Sequence, residues 1–323
     1  MDYRRLGASG MKVSVVGLGS WLTMGGYVDE ETAAETVRVA FERGVNFFDT
    51  ADVYRLGQAE MVLGRALADI PRKDYVLASK CFFPTGDGPN DRGLSRKHVF
   101  ESLHASLARL RTDYLDLYQC HRYDDETPLD ETVAAMSDAI RQGKIHYWGV
   151  SMWEAAQIEH ACELADSLGG YRPVSNQPVY NMLDRRIEEG VIEASERCGL
   201  SQVVYSPLGQ GALTGKYSGG RRPTSTRGAD AKNNVFMDRY LRPEALDAID
   251  RIAALAEEID TTPARFALAW CLRHRNVASA IVGARNVRQV EENVAAADVE
   301  IPAEILAKVE AILAAVPAGE NGG

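Results

Sequence analysis

The sequence has few cysteines and no metal-binding spacing among them. The five cysteines in 323 residues are widely spaced, and no two of them form a CxxC pair: Cys81, Cys120, Cys162, Cys198 and Cys271. An odd number of scattered cysteines is typical of reduced thiols and argues against a disulfide framework or a zinc site. We therefore expect no metal centre.

The sequence also lacks a basic block and a long apolar segment. The formal net charge is -10, and 36 Lys and Arg are interleaved with 46 Asp and Glu. A nucleic-acid-binding domain usually carries a basic face, so we expect no nucleic-acid partner. Neither a signal-like segment nor a stretch of membrane-spanning length is present in the sequence. These features predict a soluble, cytoplasmic protein with no membrane segment.

What the chain does contain is a regular alternation of strand-like and helix-like segments. Short alternating runs around residues 7–10 predict an N-terminal β-hairpin. Eight strands are predicted at residues 13–20, 45–48, 75–80, 114–120, 145–150, 173–177, 201–206 and 279–283. Helices are predicted at residues 29–43, 58–68, 95–110, 128–142, 153–167, 187–198, 244–258, 262–274, 286–295 and 302–314.

This alternation favours a parallel sheet, because parallel strands need a crossover connection. Eight such units predict an α/β fold: a closed (β/α)8 TIM barrel with an N-terminal β-hairpin and an extra C-terminal helix. The alternative is an open doubly wound sheet with a G-x-G-x-x-G fingerprint, but GLGSWL at 17–22 lacks the third glycine. No change in composition marks a domain boundary. We therefore expect residues 1–323 to form a single domain, with a flexible tail at 316–323.

Three successive predicted strands end at an ionisable residue. Asp49, Lys80 and His121 each follow an apolar run, and Tyr54 lies in the loop after Asp49. In a barrel the carboxyl ends of the strands share one face, so we expect the four side chains to meet there. Taken singly, each residue also suits an ordinary strand end, as a capping Asp, a solvated Lys, a structural His or a surface Tyr. Their occurrence at adjacent ends favours a site.

The four groups suit protonation of a carbonyl oxygen. A free tyrosine, with a pKa of about 10, is a poor proton donor near neutrality, and a nearby ammonium lowers that pKa. An aspartate holds the lysine in place, and a histidine orients the carbonyl group. The reductant has to be a bound cofactor, because none of these groups supplies a hydride.

Apolar walls for a substrate are predicted beside Tyr54 and His121. The candidates are Trp21, Phe82 and Phe83, which follow the first and third predicted strands. The alternative for these three aromatic residues is core or rim packing.

Two segments suit a phosphate group. Arg285 and Arg288 lie at the start of the predicted helix 286–295, and a helix N-terminus with adjacent arginines favours a phosphate. The glycine-rich segment 206–217 follows the seventh strand, where barrels commonly bind phosphate. It is not a Walker A loop, because Tyr217 follows Lys216. The alternatives are a solvated helix face and ordinary turns.

Several motifs resemble the aldo-keto reductase superfamily, and more closely its branch containing the voltage-gated potassium channel beta subunits and related bacterial reductases. They are GLGSW (17–21), GVNFFDTADVY (44–54), GLSRKHVFESLHASLARL (93–110), YLDLYQCHR (114–122), YSPLGQGALTGKY (205–217) and VGARNVRQVEEN (282–293). The resemblance spans nearly the whole chain. It implies a (β/α)8 barrel that uses NADPH/NADP+ to reduce a small-molecule carbonyl substrate, with a catalytic tetrad of Asp49, Tyr54, Lys80 and His121. Channel beta subunits vary at the His position, so His121 favours a working reductase.

The resemblance also implies a set of cofactor-binding residues. These are Gly19, Ser20 and Trp21 beside the nicotinamide, Ser151 and Gln177 for the carboxamide, Tyr205 stacking on the ring, Ser206, Leu208, Gly211 and Lys216 over the pyrophosphate, Arg227 as a further loop contact, and Gly283, Arg285, Gln289, Glu292 and Asn293 for the adenosine and its 2′-phosphate, with Asp49 and Pro207 completing the set. Met152 departs from the Arg or Asn usual beside that serine. Arg285 replaces a small polar residue of many relatives, which favours NADPH.

Two other functions stay open at this stage. One is a regulatory or redox-sensing subunit of the channel beta-subunit type, which holds NADP(H) with little turnover. The other is a phosphosugar barrel enzyme without a nicotinamide. The sequence does not identify the substrate, and it leaves homo-oligomer formation open, since members of this branch often assemble through helix faces.

Overall fold

The computed structural model describes residues 1–221 and 237–316. Within these ranges the chain forms a closed eight-stranded parallel barrel surrounded by helices, together with a two-stranded antiparallel sheet. This is a (β/α)8 TIM barrel, and it confirms the predicted fold, including the N-terminal hairpin and the C-terminal helix. Among the residues described, no helix has both the length and the apolar character needed to cross a membrane.

Strands and helices alternate along most of the described chain. The hairpin consists of β1 (Tyr3–Arg5) and β2 (Lys12–Ser14). The barrel strands are β3 (Val16–Gly19), β4 (Phe47–Asp49), β5 (Val76–Cys81), β6 (Leu115–Cys120), β7 (Ile145–Val150), β8 (Ser175–Asn176), β9 (Ser201–Val204) and β10 (Val277–Val282). The helices are α1 (Glu30–Glu42), α2 (Gln58–Ala66), α3 (Arg96–Leu110), α4 (Leu129–Arg141), α5 (Ala155–Ser167), α6 (Val191–Cys198), α7 (Pro243–Glu258), α8 (Pro263–Leu272), α9 (Val287–Val294) and α10 (Ala303–Leu313). Strand β10 closes the ring by pairing with β3 and β9.

Local sequence explains where several of these helices begin. Asp29, Ser95, Thr262 and Asn286 each precede a helix and accept a hydrogen bond from a backbone N–H of its first turn. Such a cap satisfies one of the backbone donors that a helix leaves unpaired at its N-terminus. Because α1, α3 and α9 each follow a barrel strand, their N-termini lie at the same face as the carboxyl ends of the strands.

The N-terminal hairpin closes the opposite face of the barrel. Leu6 and Val13 are fully buried in a cluster with residues of the barrel interior, including Phe47 and Leu117. The guanidinium of Arg4 donates hydrogen bonds to the backbone oxygens of Leu272 (2.8 Å), His274 (3.0 Å) and Val277 (2.6 Å). The hairpin is therefore fastened to the segment that leads into the last barrel strand.

Three predicted elements differ most from the structure. The predicted strand 13–20 is two strands, β2 and β3, because the chain turns a corner at Val15, whose N–H donates to Asp2 O at 3.0 Å. Both parts are buried, so they appear as one apolar run in the sequence. The predicted strand 173–177 shortens to β8, since Pro173 and Pro178 flank it and have no N–H to donate to a ladder.

The predicted helix 187–198 is also shorter. Residues Arg186–Glu188 form a 3-10 turn, and α6 begins only at Val191. Gly190 separates the two with a φ of 99°, a left-handed conformation that a helix cannot contain. In the long segment 207–240, 3-10 turns occur at Gly209–Thr214, Ser218–Gly220 and Asp238–Tyr240. Of the expected tail at 316–323, residues 317–323 lie outside the described residues.

The burial of Leu6 generates a prediction about stability. Leu6→Ala is expected to lower the free energy of unfolding by about 2–5 kcal/mol, because it removes apolar contacts and leaves a cavity at the base of the barrel. Urea denaturation followed by circular dichroism measures the change. Leu56→Ala is the matched control, since the Leu56 side chain is 79% exposed and its truncation is expected to change stability by less than about 0.5 kcal/mol. Equal effects of the two substitutions would show that the packing of Leu6 against the barrel interior does not contribute to the free energy of unfolding.

Candidate active site

A cleft of about 1080 Å³ opens at the carboxyl ends of the barrel strands. Its walls include the ends of β3, β4 and β6 at Gly19, Asp49 and His121, and the residues that follow β7 and β10. Ligand sites of (β/α)8 barrels occupy this face. The cleft is the candidate site of the protein.

Lys80, near the end of β5, is the centre of the predicted tetrad. Its side chain is 0% exposed, and Nζ donates to Asp49 Oδ2 at 2.6 Å and to the backbone oxygen of Thr50 at 2.7 Å. The same Nζ lies 3.4 Å from the hydroxyl of Tyr54. The pairing of β4 with β5, in which Asp49 lies opposite Ala78, brings the two strand ends together. The structure thus brings Asp49, Tyr54 and Lys80 into one hydrogen-bonded group.

Burial and charge act in opposite directions on this group. Burial disfavours the ammonium of Lys80, but the carboxylate of Asp49 and the Tyr54 hydroxyl outweigh it, and the pKa of Lys80 is raised. For Tyr54, burial raises the pKa, and the nearby charge of Lys80 lowers it by less. The lysine acts in the expected direction, but the net pKa of Tyr54 lies above its ordinary value. Tyr54 is consequently a neutral phenol at physiological pH, with a proton to donate.

His121 completes the cluster on the other side of Tyr54. The two rings meet edge to face with centroids 5.7 Å apart, and the ring of Phe83 packs against His121 at 4.9 Å. Burial, and then the charges of Lys80 and Arg122, hold the pKa of His121 well below its ordinary value. The imidazole is therefore neutral at pH 7 and acts on a ligand through hydrogen bonding and not as a cation.

The second oxygen of Asp49 faces two amides. Gln177 Nε2 donates to Asp49 Oδ1 at 2.8 Å, and Gln119 Nε2 lies 3.4 Å from the same oxygen. Ser151 Oγ donates to the backbone oxygen of Gln177 at 2.8 Å. These contacts fix the carboxylate from the side opposite Lys80.

Most of the residues predicted to bind a cofactor line the cleft. They are Gly19, Trp21, Asp49, Ser151, Gln177, Tyr205, Ser206, Pro207, Leu208, Gly211, Lys216, Gly283, Arg285, Gln289, Glu292 and Asn293. Tyr54, Phe83 and His121, predicted to contact substrate, are also on its wall. The cleft therefore collects residues from segments that are distant in sequence.

Two predicted site residues are placed elsewhere, and a third is not described. Ser20 is fully buried, and its hydroxyl donates to Thr50 Oγ1 at 2.8 Å, so it supports the strand end beside Asp49. Phe82 does not line the cleft and packs edge to face on Phe83 at 5.2 Å. Arg227 lies outside the described residues.

One end of the cleft is rich in basic groups. Arg285 and Arg288 line it at the N-terminus of α9, where Asn286 Oδ1 accepts from the backbone N–H of Gln289 at 3.0 Å, and Lys216 from the segment after β9 lines the same cleft. The guanidinium of Arg285 lies over the ring of Tyr27 at 4.3 Å. A helix N-terminus surrounded by cations suits the negative charge of a phosphate.

The sequence analysis missed several residues of the cleft wall. These include Thr23, Val53, Arg55, Arg122, Gln210, Thr214, Arg239, Thr262, Pro263 and Ala264. A signal existed for Thr262–Ala264, because they begin α8, and helices of a barrel begin at the face where the strands end. The others lie in connecting loops, whose paths the periodicity of a sequence does not reveal.

Asp52, the second carboxylate of the segment 45–54, does not join the tetrad. It is buried behind the site, where Ser102 Oγ donates to its Oδ2 at 2.6 Å. Burial raises the pKa of Asp52 to about 7. In the ranges that the structure covers, His, Cys, Asp and Glu side chains form no cluster able to hold a metal ion.

Fold and cleft together define a (β/α)8-barrel protein with its candidate site at the carboxyl ends of the strands. The sequence belongs to the Aldo/keto reductase family, whose model matches residues 15–314. NADPH-dependent carbonyl reduction is the general activity of that family. Membership disfavours the phosphosugar alternative.

Three relatives are similar over almost the full length of the chain. A "Probable voltage-gated potassium channel subunit beta" from Arabidopsis thaliana and one from Oryza sativa subsp. japonica are each 40% identical over 98% of this chain and 98% of the relative. A "Putative voltage-gated potassium channel subunit beta" from Schizosaccharomyces pombe is 40% identical over 98% of this chain and 94% of the relative. The names of these relatives concern a channel subunit and do not specify a reaction.

The lowered pKa of His121 predicts how stability depends on pH. An unfolded histidine takes up a proton below a pKa of about 6.5, whereas folded His121 does not. The free energy of unfolding should therefore fall as the pH falls, and this one group contributes about 2 kcal/mol of loss by pH 5.

Comparison with His121→Asn isolates this contribution. Between pH 7.5 and pH 5, urea titrations should show a smaller loss in the free energy of unfolding for this variant than for the unsubstituted protein. The control is His160→Asn, at an exposed position, for which the loss should equal that of the unsubstituted protein. Parallel curves for the His121 variant and the unsubstituted protein would contradict a neutral, buried imidazole.

Proposed function

We propose that the protein reduces aldehydes or ketones to alcohols with NADPH as the hydride donor. The observation that carries this proposal is the fully buried ammonium of Lys80, held by Asp49 at 2.6 Å and 3.4 Å from the Tyr54 hydroxyl on the cleft wall. A cation fixed beside a neutral phenol prepares that phenol to give up its proton, because charge developing on the phenolic oxygen meets a compensating charge.

The cofactor proposal, NADPH/NADP+, is supported by the chemistry of the cleft walls. Lys216, Arg285 and Arg288 would hold the phosphates, and the polar groups of Ser151 and Gln177 lie near the tetrad, where they suit a carboxamide. The bound nicotinamide would supply a hydride that no side chain of the cluster can provide. The acidic residue Glu292 also lines the basic end, where Thr262 Oγ1 donates to its carboxylate.

The roles of the tetrad follow from its protonation states. Tyr54 donates its proton to the carbonyl oxygen, and the ammonium of Lys80 stabilises the phenolate left behind. Asp49 keeps Lys80 charged and in place. His121, being neutral, orients the carbonyl oxygen by a hydrogen bond without adding a second positive charge. With this proton on its oxygen, and with a hydride that a bound nicotinamide would supply to its carbon, the carbonyl group would become an alcohol.

A second candidate is a regulatory NADP(H)-binding subunit with little turnover. The names of the three relatives favour it, because each is a probable or putative channel subunit beta. His121 beside Tyr54 favours the reductase, since it completes the proton-donor cluster. Loss of NADPH absorbance on addition of an aldehyde separates the two: steady turnover supports the enzyme, and a tightly bound cofactor that is not consumed supports the regulatory subunit.

Removing the phenolic hydroxyl tests the assignment of the proton donor. Tyr54→Phe is expected to lower kcat for aldehyde reduction by about 10²- to 10⁴-fold, because general acid catalysis is lost. NADPH affinity, measured by fluorescence, should stay within about threefold, since the ring is retained. Tyr171→Phe, at an exposed tyrosine on the outer surface, is the control. Full activity of the Tyr54 variant would exclude this phenol as the acid.

The preference for NADPH over NADH depends on Arg285 in this proposal. Arg285→Ala should weaken NADPH binding about tenfold or more, because hydrogen bonds between a guanidinium and a phosphate are charge-assisted. NADH lacks the 2′-phosphate, so its dissociation constant should change by less than about twofold and it serves as the internal control. Titration of cofactor fluorescence measures both constants, and equal losses would contradict a role for Arg285 in selecting the phosphate.

A further inference from the structure

Arg122 belongs to the wall of the cleft but has no part in the tetrad. It follows His121 directly at the end of β6 and is half-buried. Its Nη1 donates to the backbone oxygen of His121 at 2.6 Å, and its Cζ lies 5.3 Å from the ring centroid of Phe83. Phe83 in turn packs on His121, which packs on Tyr54. The ring of Phe83 therefore lies between the guanidinium of Arg122 and His121, the residue proposed to orient the carbonyl group.

The charge of Arg122 is not neutralised by the part of the chain that the structure covers. No carboxylate among those residues lies within 4 Å of its guanidinium nitrogens, and one of its five N–H groups is engaged, by the oxygen of His121. Arg239, another arginine of the cleft wall, differs in this respect, because its Nη1 lies 3.3 Å from Asp184 Oδ2.

The field of Arg122 reaches both walls of the cleft. After burial and Lys80, it is the third cause of the lowered pKa of His121. Burial raises the pKa of Tyr205, and Arg122 is the leading influence that lowers it. Arg122, His121 and Tyr205 line the same cleft, so the charge of Arg122 acts on the space that they share. A half-buried guanidinium in such a space is a strong binding group for a planar anion, because its parallel N–H groups match the two oxygens of a carboxylate.

We propose that Arg122 binds an anionic group of the substrate, and that the preferred substrates are short aldehyde or keto acids carrying a carboxylate. This inference rests on the proposed carbonyl reduction and narrows it to a substrate class. A carboxylate is favoured because its two oxygens match the parallel N–H groups of one guanidinium. The hydride and the proton go to the carbonyl group as before, and the carboxylate is unchanged by the reaction.

A purely structural role makes a different prediction. If Arg122 only fixes the backbone of His121, its loss lowers the reduction of charged and neutral carbonyl compounds by the same factor. If Arg122 binds the substrate's anion, its loss lowers kcat/KM selectively for carboxylate substrates. The selectivity between a carboxylate substrate and its neutral ester therefore separates the two roles, whatever happens to the absolute rate.

The test compares 4-carboxybenzaldehyde with methyl 4-formylbenzoate, and succinic semialdehyde with butanal, each with NADPH. The unsubstituted protein is expected to prefer the carboxylate member of each pair by about tenfold or more in kcat/KM. Arg122→Gln should remove this preference, and Arg122→Lys should keep part of it, since the charge remains but the planar fork does not. Arg38→Gln removes a surface arginine that pairs with Glu42 and should keep the preference in full. A preference that is absent, or that survives in Arg122→Gln, overturns the inference.

A binding measurement makes this result independent of turnover. Calorimetry with benzoate in the presence of NADP+ should show binding that Arg122→Gln weakens about tenfold or more, with Arg38→Gln as control. If no aldehyde is reduced but benzoate binding depends on Arg122, the anion site stands and the proposed reduction fails. If neutral aldehydes are reduced and neither measurement depends on Arg122, the reduction stands and the anion site fails. Thermal melts establish that each variant is folded. If Arg122→Gln does not fold, Arg122→Lys is used instead to measure both the substrate preference and benzoate binding.

Discussion

The ion pair between Lys80 and Asp49 is the interaction on which the candidate site depends. Two charges that are almost completely withheld from solvent are stable only as a pair, and removal of one partner from such a pair typically costs about 3–5 kcal/mol. The barrel supplies what the pair needs, since adjacent strand ends bring the two side chains together, and Thr50 O, Gln177 and Gln119 engage their remaining hydrogen-bonding atoms. Burial makes the ion pair costly in free energy, but it also fixes the ammonium of Lys80 beside the phenol of Tyr54 and near the imidazole of His121.

Burial then sets the protonation states around that fixed charge. Tyr54 stays a phenol because the loss of hydration outweighs the pull of Lys80, and His121 stays neutral because burial and two cations all oppose its protonation. A neutral phenol and a neutral imidazole therefore lie near one permanent cation. This division of roles arises from environment alone, since in water the same three side chains would have their ordinary pKa values.

The fold and the tetrad could be predicted because both depend on short-range patterns. The alternation of strands and helices leads to a barrel, and ionisable residues that directly follow apolar runs are carried to one face of it. The division of residues 13–20 into two strands could not be predicted, because both strands are buried. The burial of the Ser20 hydroxyl against Thr50 and the hydrogen bond from Gln177 to Asp49 could not be predicted either, because they depend on contacts between distant segments. Arg122 was visible in the motif YLDLYQCHR, but its place on the cleft wall over the ring of Phe83 depends on how separate segments pack.

The hydrogen bonds of Arg4 bear on how the molecule is assembled during synthesis. Arg4 and Val277 are separated by 273 positions in sequence, so these bonds and the last strand pairing cannot form until nearly the whole chain has left the ribosome. Contacts of such high sequence separation are entropically costly to make and form slowly. Until then the apolar residues of the hairpin lack part of the barrel interior that buries them, and the emerging chain would expose them to chaperones and to neighbouring nascent chains.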